Sequence, residues 1–261
     1  MLPFVMKRCL VLLLFFRTAC MAQGWEFELM AGTSRYKGDL TQSHFELRTM
    51  RPATAVNLKY NIANDFVVRA GIAWGQVTGN DKYNKQADLR ARNLNFRTNI
   101  VEVSLVAEYN LLEPEIFYAY PYIFGGAGIF HFNPYTYDNN NKKTFLRPLS
   151  TEGQGLAAYP DRKPYSKTQF CLPFGAGWKW NFSKKYELSY EIGYRILFTD
   201  YLDDVSKTYV DPALLLAARG PKAVELAFRS KNPMGAGDVR GHSNRDWYFF
   251  SGIKLMMRLQ K

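Results

Sequence analysis

The sequence predicts an all-β protein: an eight-stranded antiparallel transmembrane β-barrel with long external loops, preceded by a signal peptide. Three observations predict it. Short segments alternate apolar and polar residues at period two. The connections between them are alternately short and long. Aromatics make up 16% of the chain, yet the mean hydropathy is slightly negative at -0.27. A membrane barrel has that profile, because only every second strand residue faces lipid.

The alternation is clearest between Glu187 and Asp204. One face carries Leu188, Tyr190, Ile192, Tyr194, Ile196 and Phe198; the other carries Glu187, Ser189, Glu191, Gly193 and Arg195. A helix would place Glu191 and Arg195 among the leucine and isoleucine, so the segment is a strand. The glycine lies on the polar face, which marks that side as the cramped one. A soluble barrel turns its apolar side inward and a lipid-embedded barrel turns it outward.

From the N-terminus, residues 1–22 read as the signal peptide and residues 23–261 as the barrel domain. Lys7 and Arg8 form the basic region, Cys9 to Phe16 the apolar region, and Cys20-Met21-Ala22 a small-x-small cleavage site. The alternative is a lipoprotein acylated on Cys20, against which Arg17 stands where an aliphatic residue is wanted. Of the three cysteines only Cys171 is certain to remain after export, so no disulfide framework is expected. Beyond the leader no apolar run exceeds the six residues Ala213 to Ala218, so a membrane is crossed by strands or not at all.

Seven further strands follow the same rule. Trp25 to Thr33 sets Trp25, Phe27, Leu29 and Ala31 against Glu26, Glu28, Met30 and Gly32. Thr54 to Tyr60 sets Val56, Leu58 and Tyr60 against Asn57 and Lys59. Phe66 to Gln76 sets Val68, Ile72 and Trp74 against Arg69, Gly71 and Gly75. Asn99 to Tyr109 sets Val101, Val103, Leu105 and Tyr109 against Glu102, Ser104 and Glu108. Ala119 to Phe132 contains Gly-Gly-Ala-Gly, and its phase stays open. Phe170 to Trp180 sets Leu172, Phe174, Trp178 and Trp180 against Gly175, Gly177 and Lys179. Trp247 to Leu259 sets Trp247, Phe249, Ile253 and Leu255 against Tyr248, Gly252, Lys254 and Arg258. The connections run over 34–51, 61–65, 78–95, 110–117, 133–166, 181–185 and 200–243, long and short in turn. An outer-membrane barrel has that layout, with short periplasmic turns and long external loops, and both termini periplasmic. A soluble barrel would instead expose Trp74, Val103, Ile192 and Phe249 as one apolar belt. Trp25, Tyr60, Tyr109 and Tyr186 near the short turns, and Trp74, Phe198 and Trp247 near the long loops, mark two interfacial girdles.

The polar faces carry six acids and six bases. The acids are Glu26, Glu28, Glu102, Glu108, Glu187 and Glu191; the bases are Lys59, Arg69, Lys179, Arg195, Lys254 and Arg258. Eight strands enclose only enough room for side chains, and unpaired charges there cost several kcal/mol each. The equal numbers predict ion pairs among Glu102, Glu108, Glu191, Arg195, Lys254 and their neighbours, in a filled lumen rather than a diffusion pore. The chain's net charge is +11, and about +8 without Lys7, Arg8 and Arg17. That excess suits anionic lipid and lipopolysaccharide. No basic run or aromatic RNA-binding signature accompanies it, so nucleic acid is not an expected partner.

The long loops hold the remaining chemistry. Asp203 and Asp204 with His242 make a hydrolytic rim conceivable, since such a site needs a base beside a water-activating carboxylate. Asp200, Asp203 and Asp204 are alternatively calcium ligands, although no glycine-turn loop accompanies them. The bland reading is that they end a strand and begin a turn. Gly153 and Gly155 lack the strand–helix context and basic residue of a phosphate loop. Asp211-Pro212 reads as a helix cap, opening short helices over Ala213 to Arg219 and Lys222 to Arg229.

Several segments carry a resemblance. They are Tyr36-Lys37-Gly38-Asp39-Leu40, Asn93 to Leu112, Pro121 to Pro134, Leu149 to Leu156, Tyr190 to Ser206 and Arg240 to Leu255, together most of the mature chain. In these the sequence resembles the PorG-like family, small outer-membrane β-barrels of the type IX secretion system. One departure is the end Leu259-Gln260-Lys261, where many such barrels close on an aromatic. The resemblance implies a non-enzymatic component associated with a periplasmic ring of secretion subunits, with no cofactor and no catalytic residues. The short turns then become the expected partner surface. It comprises residues 62–65, 110–116 and 181–185 with Gln260-Lys261. Leu111, Leu112 and Ile116 are its apolar anchors, Glu113 its acid, and Lys184 and Lys185 its bases. The alternative is an outer-membrane enzyme or ligand binder acting through the external loops.

Overall fold

The computed structural model describes residues 24–41, 47–230, 232–242 and 245–259. The leader, His44 and Gln260-Lys261 lie outside the described residues. In chain order the elements are β1 (Trp25–Lys37), β2 (Arg51–Asn61), β3 (Phe66–Asn80), α1 (Ala87–Arg92), β4 (Asn95–Asn110), β5 (Ala119–His131), β6 (Tyr135–Tyr137), β7 (Lys143–Phe145), β8 (Thr168–Asn181), β9 (Tyr186–Leu197), α2 (Pro212–Arg219), α3 (Pro221–Ala227) and β10 (Trp247–Leu259). Eight strands pair antiparallel in the order β3-β2-β1-β10-β9-β8-β5-β4, and β3 pairs with β4 to close the ring. The small hairpin β6–β7 joins the outer end of β4 through Arg97 and Tyr135.

Period-two alternation fixes which side each residue faces. Ile72, Leu105 and Ile253 are each 58% exposed on the outside, while Glu28, Glu102, Glu108 and Lys254 are fully buried inside. Apolar outside and charged inside is stable only where the outside is hydrocarbon. Tyr186 and Phe198 bracket Ile192 at equal distances along β9 and its outer extension, and all three are exposed. Six residues at about 3.4 Å per residue, tilted by about 40°, span about 15 Å of depth. That is half of a hydrocarbon core about 30 Å thick, so Ile192 lies near its middle.

The inward glycines make room for rings. Gly193 and Gly175 are cross-strand partners, and a Cβ on Gly193 would lie 2.7 Å from Phe124. β5, whose phase the sequence leaves open, turns Tyr120, Tyr122, Phe124 and Phe130 inward.

At the short-turn end the chain leaves each strand pair after four to eight residues. At the other end the four long connections fold over the mouth into a packed cap, with Leu40, Phe132, Leu202, Val205 and Leu226 buried in it. Helices α2 and α3 stand at the places the sequence indicates, with Asp211 accepting hydrogen bonds from the backbone N–H groups of Ala213 and Leu214. Three features differ from the expectation. The 133–166 connection contains the β6–β7 hairpin, α1 forms inside the 78–95 connection, and β1, β3 and β4 each run four residues further toward the long loops. Among the described residues no helix is long and apolar enough to cross a membrane.

Candidate functional site

The lumen is built in three tiers. At the centre Glu28, Glu108 and Glu191 meet Lys59, Arg69, Lys179 and Lys254. Lys254 Nζ lies 2.6 Å from Glu191 and 2.9 Å from Glu28, Arg69 Nη1 2.7 Å from Glu191 and 2.9 Å from Glu108, and Lys179 Nζ 2.7 Å from Glu108. Tyr122, on the ring-bearing face of β5, donates its hydroxyl to Glu191 at 2.7 Å. Toward the cap, Arg195 donates to Glu102 from Nε at 2.9 Å, and Tyr248 donates to the same carboxylate at 2.8 Å. Toward the short turns, Glu26 meets Arg258, and Glu187 accepts from Tyr120 and lies 3.8 Å from Lys59. Every one of the lumen charges named from the sequence has an opposite charge within salt-bridge distance. Tyr248 stands on the face the sequence assigns to the lumen, whereas Tyr120 and Tyr122 were missed, because β5 is apolar on both faces and shows no phase.

The short-turn rim surrounds a vestibule of about 750 Å³ whose floor includes Lys59, Lys179, Glu187 and Tyr120. Leu111, Leu112, Glu113, Ile116, Lys184 and Lys185 are all exposed on this rim. The turns are tied to one another: Asn64 donates to Glu115 at 3.0 Å, the Asn181 N–H to the Tyr118 carbonyl at 2.7 Å, and Arg258 to the Lys184 carbonyl at 2.8 Å. Phe182, within the expected 181–185 turn, is exposed beside them, as are Phe117 and Tyr118, which lie just past the expected 110–116 turn.

The cap is held by a second polar network. Arg92 grips Asp81 at 2.7 Å and donates to the Asp39 and Arg240 carbonyls. Arg240 pairs with Glu152 at 3.0 Å, and Glu152 also accepts from the Ser206 and Lys207 N–H groups. Tyr36 donates to Asp203 at 2.5 Å, Tyr165 and Thr151 donate to Asp204, and the Leu202 N–H donates to Asp246. Burial raises the carboxyls of Asp203 and Asp246 well above the usual range, helped at both by the charges of Asp39 and Asp200 and at Asp246 also by that of Asp203. Burial likewise raises Asp204 to about 6 against the pull of Arg240, and Asp200 to about 7.

This network decides against two of the alternatives the loop aspartates left open. Asp203 and Asp204 do not meet His242: the His242 backbone N–H donates to Asp39, and the two aspartates bond to tyrosines and Thr151. Asp200, Asp203 and Asp204 point to separate partners, Asp200 to Ser206, so they form no common cation cage. Glu152, in the long 133–166 connection, is fully buried at the centre of the cap. The segments around Tyr36, Glu152, Asp203 and Arg240, far apart in sequence and each part of the resemblance, converge here.

A closed, apolar-belted ring of eight antiparallel strands is an outer-membrane-type β-barrel. The chain belongs to the DUF6089 family, a domain of unknown function whose model matches residues 6–210. No curated protein matches it. Among solved structures it is similar to Neisserial surface protein A, at 10% identity over 90% of this chain and 97% of that one, TM-score 0.47. It is also similar to a major outer membrane protein of Thermus thermophilus, at 14% identity over 90% and 99%, TM-score 0.43. A third likeness is to OprG of Pseudomonas aeruginosa, at 10% identity over 91% and 98%, TM-score 0.39.

Proposed function

We propose that the protein is a non-enzymatic outer-membrane component of the type IX secretion apparatus, docking a periplasmic ring of partner subunits with its short-turn rim. In this reading the termini and short turns are periplasmic and the packed cap faces outward. The carrying observation is the rim itself: apolar side chains exposed on turns that hydrogen bonds already hold in place. Ordering such turns on binding costs little entropy. The filled lumen supports a role at the barrel's ends rather than transport through it. The sequence resemblance supplies the secretion assignment.

The test is affinity isolation from detergent-solubilised outer membranes. The wild-type barrel should bring secretion-ring subunits with it, and the Leu112→Asp/Lys184→Glu barrel should not. Recovery of the same subunits with both would remove the rim from the account. A second reading, a ligand binder working through the long loops, is favoured by one observation: the resemblance segments converge in the cap.

A further inference from the structure

We propose that the outer wall of the barrel, just below the cap, carries a binding site for a sugar-borne phosphate or sulfate group, supplied by the glycolipid of the surrounding leaflet. The site is a small pocket of about 110 Å³ at the outer ends of β2, β3 and β4. Four cations line it: Arg48, Arg51, Lys82 and Arg97. Among the described residues none of the four has an ion-pair partner, and no acid lines the pocket. The acid beside Lys82, Asp81, turns inward and is occupied by Arg92, Asn84 and the Leu94 N–H. This contrasts with the lumen, where every charge is matched.

The cations are also held together. Lys82 and Arg48 both lie over the Tyr83 ring, at 4.7 and 5.8 Å, and Arg97 lies over Tyr137 at 5.5 Å. Like charges gathered on fixed aromatic supports repel one another until an anion joins them, and guanidinium forks match the oxygens of phosphate and sulfate. With the cap facing outward, as in the function proposed above, sugar-borne groups of the outer leaflet are the membrane anions that reach the pocket, because of where it sits. Thr78 on its wall is cross-strand partner to Arg97 and lies four residues beyond the lipid-facing Trp74 along β3. At about 3.4 Å per residue and a tilt of about 40°, the pocket is about 10 Å above that tryptophan. That is headgroup height, beyond the hydrocarbon edge that interfacial aromatics mark. A membrane phosphate reaches it from the side, without crossing the cap.

The experiment uses the full mature chain refolded in zwitterionic micelles and titrated with three probes. They are bisphosphorylated lipid A, the same lipid A with both phosphates removed, and soluble glucose 1,6-bisphosphate. Lipid A should bind the wild type at least tenfold more tightly than its dephosphorylated form, and binding should weaken as salt is raised. Arg48→Ala with Arg97→Ala should remove most of that difference. Lys142→Ala with Lys163→Ala takes the same charge from exposed positions elsewhere on the cap and should not. Glucose bisphosphate binding with the same variant dependence would show that the site reads the phosphate alone; binding of lipid A only would fix the source as the membrane. Equal affinity for phosphorylated and dephosphorylated lipid A overturns the proposal, and this comparison needs no variant. So does equal weakening by the two double variants.

Discussion

Removing Glu191 tests the lumen most sharply. Its carboxylate accepts from Arg69, Lys254 and Tyr122 at 2.6–2.7 Å, in a tier whose charged side chains are all buried. Glu191→Ala leaves three acids, Glu28, Glu108 and Glu187, to balance Lys59, Arg69, Lys179 and Lys254. Breaking a buried pair from one side costs about 3–5 kcal/mol, because a charge stays behind uncompensated. Glu191→Ala should therefore lower the stability of the refolded barrel by about that amount in urea titration, followed by heat-modifiable migration. The exposed Asp161→Ala should stay within about 0.5 kcal/mol of wild type. Adding Lys254→Met to Glu191→Ala should recover part of the loss, since acid and base are then removed together. If Glu191→Ala and Asp161→Ala unfold alike, the lumen charges are hydrated rather than paired, and the closed interior is wrong.

Three further outcomes follow from the same geometry. Ile192→Arg, at mid-depth on the lipid face, should cost about 2–4 kcal/mol and impair insertion. Gly193→Leu, one residue along, should also destabilise, by driving a side chain into Phe124; normal assembly of both would invert the faces. Asp204 is fully buried, and its rise from the ordinary 3.8 to about 6 means the folded cap holds a proton that the unfolded loop releases. Cap stability should thus be fully present below about pH 4 and fall as pH rises through about 6. At 1.36 kcal/mol per pH unit, Asp204 alone contributes about 3 kcal/mol of that fall. Hydrogen exchange of the Val205 and Ser206 amides should speed up from pH 4 to pH 8 beyond the intrinsic rate change, and a flat corrected profile would contradict the buried carboxyl. Planar bilayers should show no steady porin-sized conductance, and a stable open channel would contradict the filled lumen.

The strands were legible because period-two patterning needs only the local sequence, and burial on one face enforces it. Residues such as Glu102 and Lys254 announce themselves as inward against lipid-facing Val103 and Leu255. The phase of β5 was not legible, since Tyr122 and Phe124 point inward while Ile123 and Ile129 point outward, and both sets are apolar. The cap was illegible for a different reason. Asp203 looks like a turn former and Glu152 carries no local sign of burial, and only contacts with Tyr36, 167 residues from Asp203, and with Arg240 show that they are buried. The β6–β7 strands have three residues each, too few for an alternation to register. On the rim, Leu111, Leu112 and Ile116 were legible as apolar residues on a short turn, whereas the ties that hold the turns together are visible only in three dimensions.

The docking rim is tested most directly by comparing two barrels for ring association and secretion in the living cell. One carries Leu112→Asp with Lys184→Glu. The other loses the α2–α3 excursion, residues 211–236, bridged by two glycines. The backbone bonds from Gly237 to Tyr209 and between Tyr209 and Asp238 already bring those ends together, so Arg240 and the cap network stay in place. With both barrels inserted and heat-modifiable, the rim variant should lose ring association and secretion while the excised barrel keeps ring association. A rim variant that still secretes, beside an excised barrel that does not, would place the working surface on the outside.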